Sequence, residues 1–191
     1  MLSSTEALIF ILKGGKKSNF NPGLQIIKYY KEEETMGDQR NFIDFCADGD
    51  IEAVQAAIDN GADVNEDMYG TTGLMWALAM GYNNHVVQLL LQHPEINANL
   101  VVGDGYSALH EAIMHDNPEG MATLLAHQHD RGISTINQTR SSGYQRDDDS
   151  WTPIMFAVGY NAVNCFQLLL TNPLVDLDVM EDYRTTQEVR G

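Results

Sequence analysis

One pattern in this chain is written several times over, and internal repetition at a near-constant spacing narrows a fold more than any other single feature. Three segments align at once: TTGLMWALAMG from Thr71, YSALHEAIMHD from Tyr106 and WTPIMFAVGYN from Trp151. Each has Thr or Ser, one spacer, Leu or Ile, two further residues and then Ala. A weaker copy, FIDFCADGD from Phe42, puts Phe45 where the others have Ala. The matched positions Phe45, Ala77, Ala112 and Ala157 are 32, 35 and 45 residues apart. Four residues beyond each lies Gly49, Gly81, Asp116 or Asn161. These residue types tolerate a left-handed backbone, which a tight turn between two helices requires.

A second helix is expected after each turn: EAVQAAI from Glu52, HVVQLLL from His85, GMATLLA from Gly120 and VNCFQLLL from Val163. Apolar residues recur there at helical spacing, over an arc wide enough to face two neighbours. Asn60-Gly61, His93-Pro94 and Asn172-Pro173 then act as stop signals. Repeats two and four end almost alike, LLLQHPEINANL against LLLTNPLVDLDV.

This pattern resembles the ankyrin repeat, whose period is about 33 residues and whose opening reads T-P-L-H-x-A. The matches are Thr152-Pro153-Ile154-Met155-Phe156-Ala157 and Ser107-Ala108-Leu109-His110-Glu111-Ala112, with GADVN at Gly61–Asn65 as a typical close. The resemblance covers residues 40 to 190 and implies an all-α solenoid of about four helix-turn-helix repeats with short β-hairpin tips. The repeats are bounded at 38–67, 68–101, 102–148 and 149–180. The first copy lacks its hairpin, and the third carries about a dozen extra residues before Trp151. The last stretch, 181–191 with Tyr183, Gln187 and Arg190, reads as a truncated repeat or a polar cap of the kind a stack needs at its ends.

Charge divides the chain. Of its 191 residues, the first 35 hold all five lysines and four glutamates, a balance of +1. Residues 36–191 hold six arginines and 23 acids, a balance of −17. Residues 1–37 therefore read as an N-terminal extension: a disordered tail, a piece added by an upstream start, or an accessory segment in which Leu24 to Lys31 forms a helix capping the first repeat. The net charge of −16 argues against nucleic acid as a direct partner, because phosphate binding relies on clustered Lys and Arg. It favours basic protein partners through faster encounter. No run approaches the roughly 18 apolar residues of a membrane span, and no basic lead-in precedes Ala7 to Leu12. A cytoplasmic or nuclear location is expected, without membrane insertion.

The chemistry-bearing residue types have structural readings. By the resemblance, His110 braces its turn through Ser107, and Asn65 stands where some members of the family are hydroxylated. Cys46 and Cys165 fall at apolar helix positions and read as packing residues. His127-Gln128-His129-Asp130 reads as a solvated loop, since two alternate histidines lack the further ligands a metal needs. Asp147-Asp148-Asp149 lacks the alternating oxygens of a calcium loop and reads as a solvated tip or a lure for a basic partner. Asn137-Gln138-Thr139 fits a glycosylation acceptor but follows no secretory signal, and Lys13–Lys17 lacks the ending of a phosphate loop. No nucleophile, base and orienting group occur together, so neither enzyme activity nor a cofactor is expected.

In ankyrin repeats the first helix of each repeat and the hairpin before it line a concave face, and partner contacts come from variable positions there. Carried across, these are Tyr69, Thr71, Trp76 and Met80 in repeat two; Asp104, Tyr106, Glu111, Met114 and His115 in repeat three; and Asp149, Trp151, Phe156 and Tyr160 in repeat four. Six are aromatic in a chain that is 8% aromatic, the residue class that anchors protein interfaces. For Trp76 and Phe156 the alternative is packing against the neighbouring repeat. The long polar loop Ser134 to Ser150, with Arg140 and Arg146, is a second candidate surface. The expected function is non-catalytic recognition of a protein segment with basic and apolar side chains. The alternative is a scaffold or spacer within a larger protein.

Overall fold

The computed structural model describes residues 40–103, 105–139 and 151–178. The N-terminal extension with the helix expected at Leu24 to Lys31, the residues Asp104, Arg140, Arg146 and Asp147 to Asp149, and the closing stretch 181–191 lie outside them. The described residues form four helix pairs. These are α1 (Phe42–Asp48) and α2 (Ile51–Asp59), α3 (Gly73–Ala79) and α4 (Asn84–Gln92), α5 (Ala108–Met114) and α6 (Pro118–Asp130), and α7 (Pro153–Gly159) and α8 (Val163–Thr171). Two hairpins stand between the first three pairs: β1 (Asp67–Met68) with β2 (Thr71–Thr72), and β3 (Val101–Val102) with β4 (Tyr106–Ser107). The first helices pack in one row, α1 on α3 on α5 on α7, and the second helices in another, α2 on α4 on α6 on α8.

Local sequence explains the starts and stops. The first helix of each pair follows Asn41, Thr72, Ser107 or Thr152 in extended conformation. Asn41 Oδ1 accepts from the Ile43 and Asp44 amides at 2.9 and 3.0 Å, while the Asn41 amide donates to Asp44 at 2.9 Å. Such a reciprocal cap satisfies donors the helix itself leaves open. The expected turn positions are left-handed throughout, with φ of 74° at Gly49, 68° at Gly81, 48° at Asp116 and 56° at Asn161. Counted from the caps, Cys46 rather than Phe45 stands level with Ala77, Ala112 and Ala157. All four are buried, and the equivalent position moves from Phe45 to Cys46 because the first helix reaches its turn one residue sooner. Phe45 is half-buried under the Arg40 guanidinium, 5.1 Å above its ring.

The core lies between the two rows of helices and is continuous from Phe42 to Leu169. The hairpin tips also stack. A Cβ on Gly70 would lie 2.7 Å from the Gly103 Cα, so only glycine permits this approach between successive tips. Two segments differ from expectation. His127 to Asp130 continue α6 rather than form a loop, because Gln128 is buried and donates to Asn99 Oδ1 at 2.6 Å while accepting from Thr135 at 2.9 Å. The start of the long loop is also tied down. Ile136 is buried, and Asn137 donates to Leu174 O and accepts from the Asp176 amide, both at 2.8 Å.

Candidate functional site

The inner face is built from the caps upward. In each capped first helix, the residue before the repeated Ala and the residue just after the helix are the positions carried across to the inner face. Three rows result. The hairpin row holds Thr71, Tyr106 and Trp151, all half-buried, with Tyr69 at the β1–β2 tip 87% exposed. The middle row is Trp76, Glu111 and Phe156. The row at the helix ends is Met80, His115 and Tyr160, with Met114 half-buried beside it. Asp104 and Asp149, expected at the rim, lie outside the described residues.

Phe156 departs from its expected role. Its ring is fully buried and is the hub of an aromatic cluster, with His110 at 4.8 Å, Trp151 at 5.8 Å and Tyr106 at 6.2 Å edge-on, and Tyr160 stacked at 5.4 Å. It offers a partner no surface, because its neighbours close over it. Trp151 covers it from the hairpin side and lies against Gly159, where a Cβ would meet the indole ring. Trp76, in the equivalent position of repeat two, stays half-buried against the core. His110 is buried, with Nδ1 2.9 Å from Ser107 Oγ and 3.3 Å from the Ser107 amide, the brace expected of it.

Electrostatically the middle of the face is its most unusual part. Glu111 and His115, one helical turn apart, approach to 3.7 Å, with side chains only 15% and 11% exposed. Burial pushes the Glu111 carboxyl up to about 7 and lowers the His115 imidazole below its usual value. Both shifts disfavour charge, so removal from water works against the ion pair that this separation would otherwise favour. Elsewhere burial raises the Cys46 thiol to about 12, and burial together with Asp116 does the same for Cys165. Thiols so protonated are poor nucleophiles. Among the described residues no group of His, Cys, Asp or Glu is placed to hold a metal ion. Nor is any helix there long and apolar enough to cross a membrane.

A family model described as ankyrin repeats (3 copies) matches residues 42–139, half of the chain. The chain belongs to the ankyrin-repeat family. Among curated proteins it is similar to Acyl-CoA-binding domain-containing protein 6 of Danio rerio, at 35% identity over 83 residues. That match takes in 42% of this chain, and the chain spans 27% of the length of that protein.

The residues that hold this ankyrin stack in register were not singled out by sequence reasoning. Asn83, at the start of α4, donates to the Cys46 and Ala47 carbonyls at 3.1 and 2.8 Å. Asn117, at the start of α6, donates to Leu78 O at 3.0 Å and accepts from the Gly120 amide at 2.8 Å. The next pair has Ala162 there, and the tie reverses: Asp116 reaches forward to the Cys165 amide at 2.9 Å and Asn164 Nδ2 at 2.8 Å. The available signal was an Asn one or two residues after a left-handed position, in two successive repeats. Asn65 likewise ties successive loops, donating to Glu95 O at 2.8 Å and accepting from the Asn97 amide at 2.7 Å.

Proposed function

We propose that this ankyrin-repeat chain is a non-catalytic protein-binding module whose inner face holds a segment of a partner protein. The observation that carries the reading is a set of aromatic and apolar side chains that keep exposed surface at matching positions of three successive repeats: Tyr69, Trp76 and Met80, then Tyr106, then Trp151 and Tyr160. Rings held by the scaffold lose little side-chain entropy on binding, so exposed parts of Tyr and Trp suit an interface anchor. Asp104 and Asp149 belong to the proposed rim, and Phe156 supports the rings rather than touching the partner. The −16 charge of the chain favours a partner segment with basic as well as apolar side chains and opposes nucleic acid.

Photo-crosslinking tests this directly. A benzophenone side chain is placed at Tyr69 on the inner face, or at the exposed Gln88 of α4 on the outer row, in the full chain in cell lysate. Crosslinking of one protein from position 69 and not from 88, weakened by salt, is expected. The same products from both positions, or none from 69, would remove the inner-face reading. A second reading, a spacer within a larger protein, draws on the relative, in which the matched stretch is about a quarter of the length. It gains if position 69 yields nothing in the full chain.

A further inference from the structure

We propose that Glu111 is the seat for a single lysine or arginine side chain of the partner segment, a specificity-determining position at the centre of the inner face. The inference rests on the inner-face reading above and adds the residue that chooses the partner.

The argument begins with what surrounds the carboxylate. Glu111 directly precedes Ala112, in the position held by Trp76 and Phe156 in the repeats on either side. Helices α3 and α7, which flank its helix, contain no acid or base. From behind, α6 turns Gly120, Met121, Leu124 and Gln128 inward, while its titratable residues Glu119, His127, His129 and Asp130 are exposed or half-exposed. The titratable groups on or beside its own helix are Tyr106, His110, His115 and Asp116, with Tyr160 at the end of α7 and the Cys165 thiol of α8 against Ala112 O; Asp116 is turned to the Cys165 amide and Asn164. Among the described residues, the one ion pair of Glu111 is the 3.7 Å approach to His115, a ring whose own charge burial disfavours.

A carboxylate so placed has given up most of its water without gaining a strong partner. Packing alone would be served better by an apolar side chain, which is what the two neighbouring repeats have. The Glu111 side chain keeps 15% of its surface exposed, so the carboxylate is covered but not sealed. A cation arriving there restores what was lost. It makes charge-assisted hydrogen bonds in surroundings of low polarity. The occupant follows from charge: residues 36–191 carry −17, which favours the approach of a basic segment, and Glu111 is the acid among the described residues of this face. An acidic or phosphate-bearing ligand would meet only repulsion.

Binding in this geometry needs the charged carboxylate. Burial holds the carboxyl near 7, so seating a cation displaces a proton. Affinity therefore rises through neutral pH, by about tenfold between pH 6 and pH 8 for one group titrating near 7.

A display library of random twelve-residue peptides, selected against the full chain at pH 8, tests the seat. Enriched peptides are expected to share one fixed Lys or Arg. Replacing that residue by norleucine should cost tenfold or more in affinity with the native chain and much less with Glu111→Gln. The same variant should bind without the pH dependence, whereas Glu111→Asp should keep the preference for a cation. Glu111→Gln has nearly the shape of the native side chain and no charge to bury, and thermal unfolding verifies that it folds. The pH profile of the native chain is an independent readout. Peptides weakened by Tyr69→Ala but indifferent to Glu111→Gln would overturn the seat and leave the inner-face reading standing. Peptides indifferent to both, or a library with no enriched sequence, would overturn the inner face itself.

Discussion

The two ends of the inner face occupy equivalent places in the repeat and present opposite surfaces. In repeat two, Tyr69 projects from its hairpin tip and Trp76 keeps part of its ring in solvent. In repeat four, Trp151 folds down onto Gly159, and Phe156, level with Trp76, vanishes beneath Trp151, Tyr160, Tyr106 and His110. Position in a repeat thus sets which way a side chain points, while the neighbouring rings decide whether a partner can reach it. Glu111 lies between the two ends and shares features of both, an ionisable group on the inner face with little water around it.

The largest effect should come from breaking the closed end. Phe156→Ala removes the hub of the cluster, and a buried Phe lost from a core costs about 3–5 kcal/mol. Because stability in a repeat stack is a sum of neighbour contacts, the loss should fall first on α7 and α8. Hydrogen exchange is expected to show those helices losing protection while α3 and α4 keep theirs. Uniform loss across the stack would mean that the cluster supports the whole array.

Next in size is the middle of the face. Glu111 has a folded-state pKa near 7, above its value in an unfolded chain. Between roughly pH 4.5 and pH 7 the folded form holds a proton that the unfolded form has released, so stability falls as pH rises through this window and levels off above it. The span of the shift sets an upper size of about 3 kcal/mol. His115, with its pKa lowered, acts in the opposite sense and costs stability as pH falls below its unfolded value. Urea titrations of the native chain and of Glu111→Gln, compared from pH 5 to pH 8, separate the two. The difference between the curves should grow toward pH 7, with the Gln variant the more stable; equal curves would show that the carboxyl is solvated.

Much of the architecture was legible in the sequence, and the reasons are local. Thr72, Ser107 and Thr152 mark helix starts, and Gly49, Gly81, Asp116 and Asn161 mark left-handed turns, because each requirement concerns a few adjacent backbone groups. The length of α6 was not legible. His127 to Asp130 look like a loop by composition, and only Asn99, 29 residues away, explains why Gln128 is buried in a helix. The same holds at the site. Tyr69, Trp76 and Glu111 are expected on the inner face from repeat position alone. For Phe156 repeat position left packing and partner contact both open, and four surrounding rings decide for burial. Asn83 and Asn117 escaped notice because a polar residue at a helix start reads as an ordinary cap until the preceding repeat is placed beside it.

These two asparagines sharpen the comparison further. Asn117 uses both ends of its amide, one on Leu78 O and one on the Gly120 amide, whereas Asn83 Oδ1 is buried without a hydrogen bond among the described residues. Truncating Asn117 orphans a buried acceptor and a buried donor, at about 1–3 kcal/mol. Asn83→Ala should cost less, since the oxygen it removes had no partner to lose. Chemical denaturation of the two single variants gives the ordering, and an equal or larger cost at Asn83 would show that its two carbonyl partners dominate.

The smallest effect on stability, and the most telling one, belongs to the open end. Tyr69 is 87% exposed at a hairpin tip and has a φ of 54°, a left-handed conformation that a tyrosine side chain does nothing to favour. Exposed substitutions of this kind stay within about 0.5 kcal/mol. A residue fixed for packing would not be a large ring in such a place; asparagine or glycine would serve the two-residue turn better. Tyr69→Asn should therefore leave the unfolding midpoint unchanged or slightly raised while weakening capture of the partner by tenfold or more. A variant that loses stability and binding together would place Tyr69 with Phe156 in the core, and the contrast between the two ends would then be one of degree.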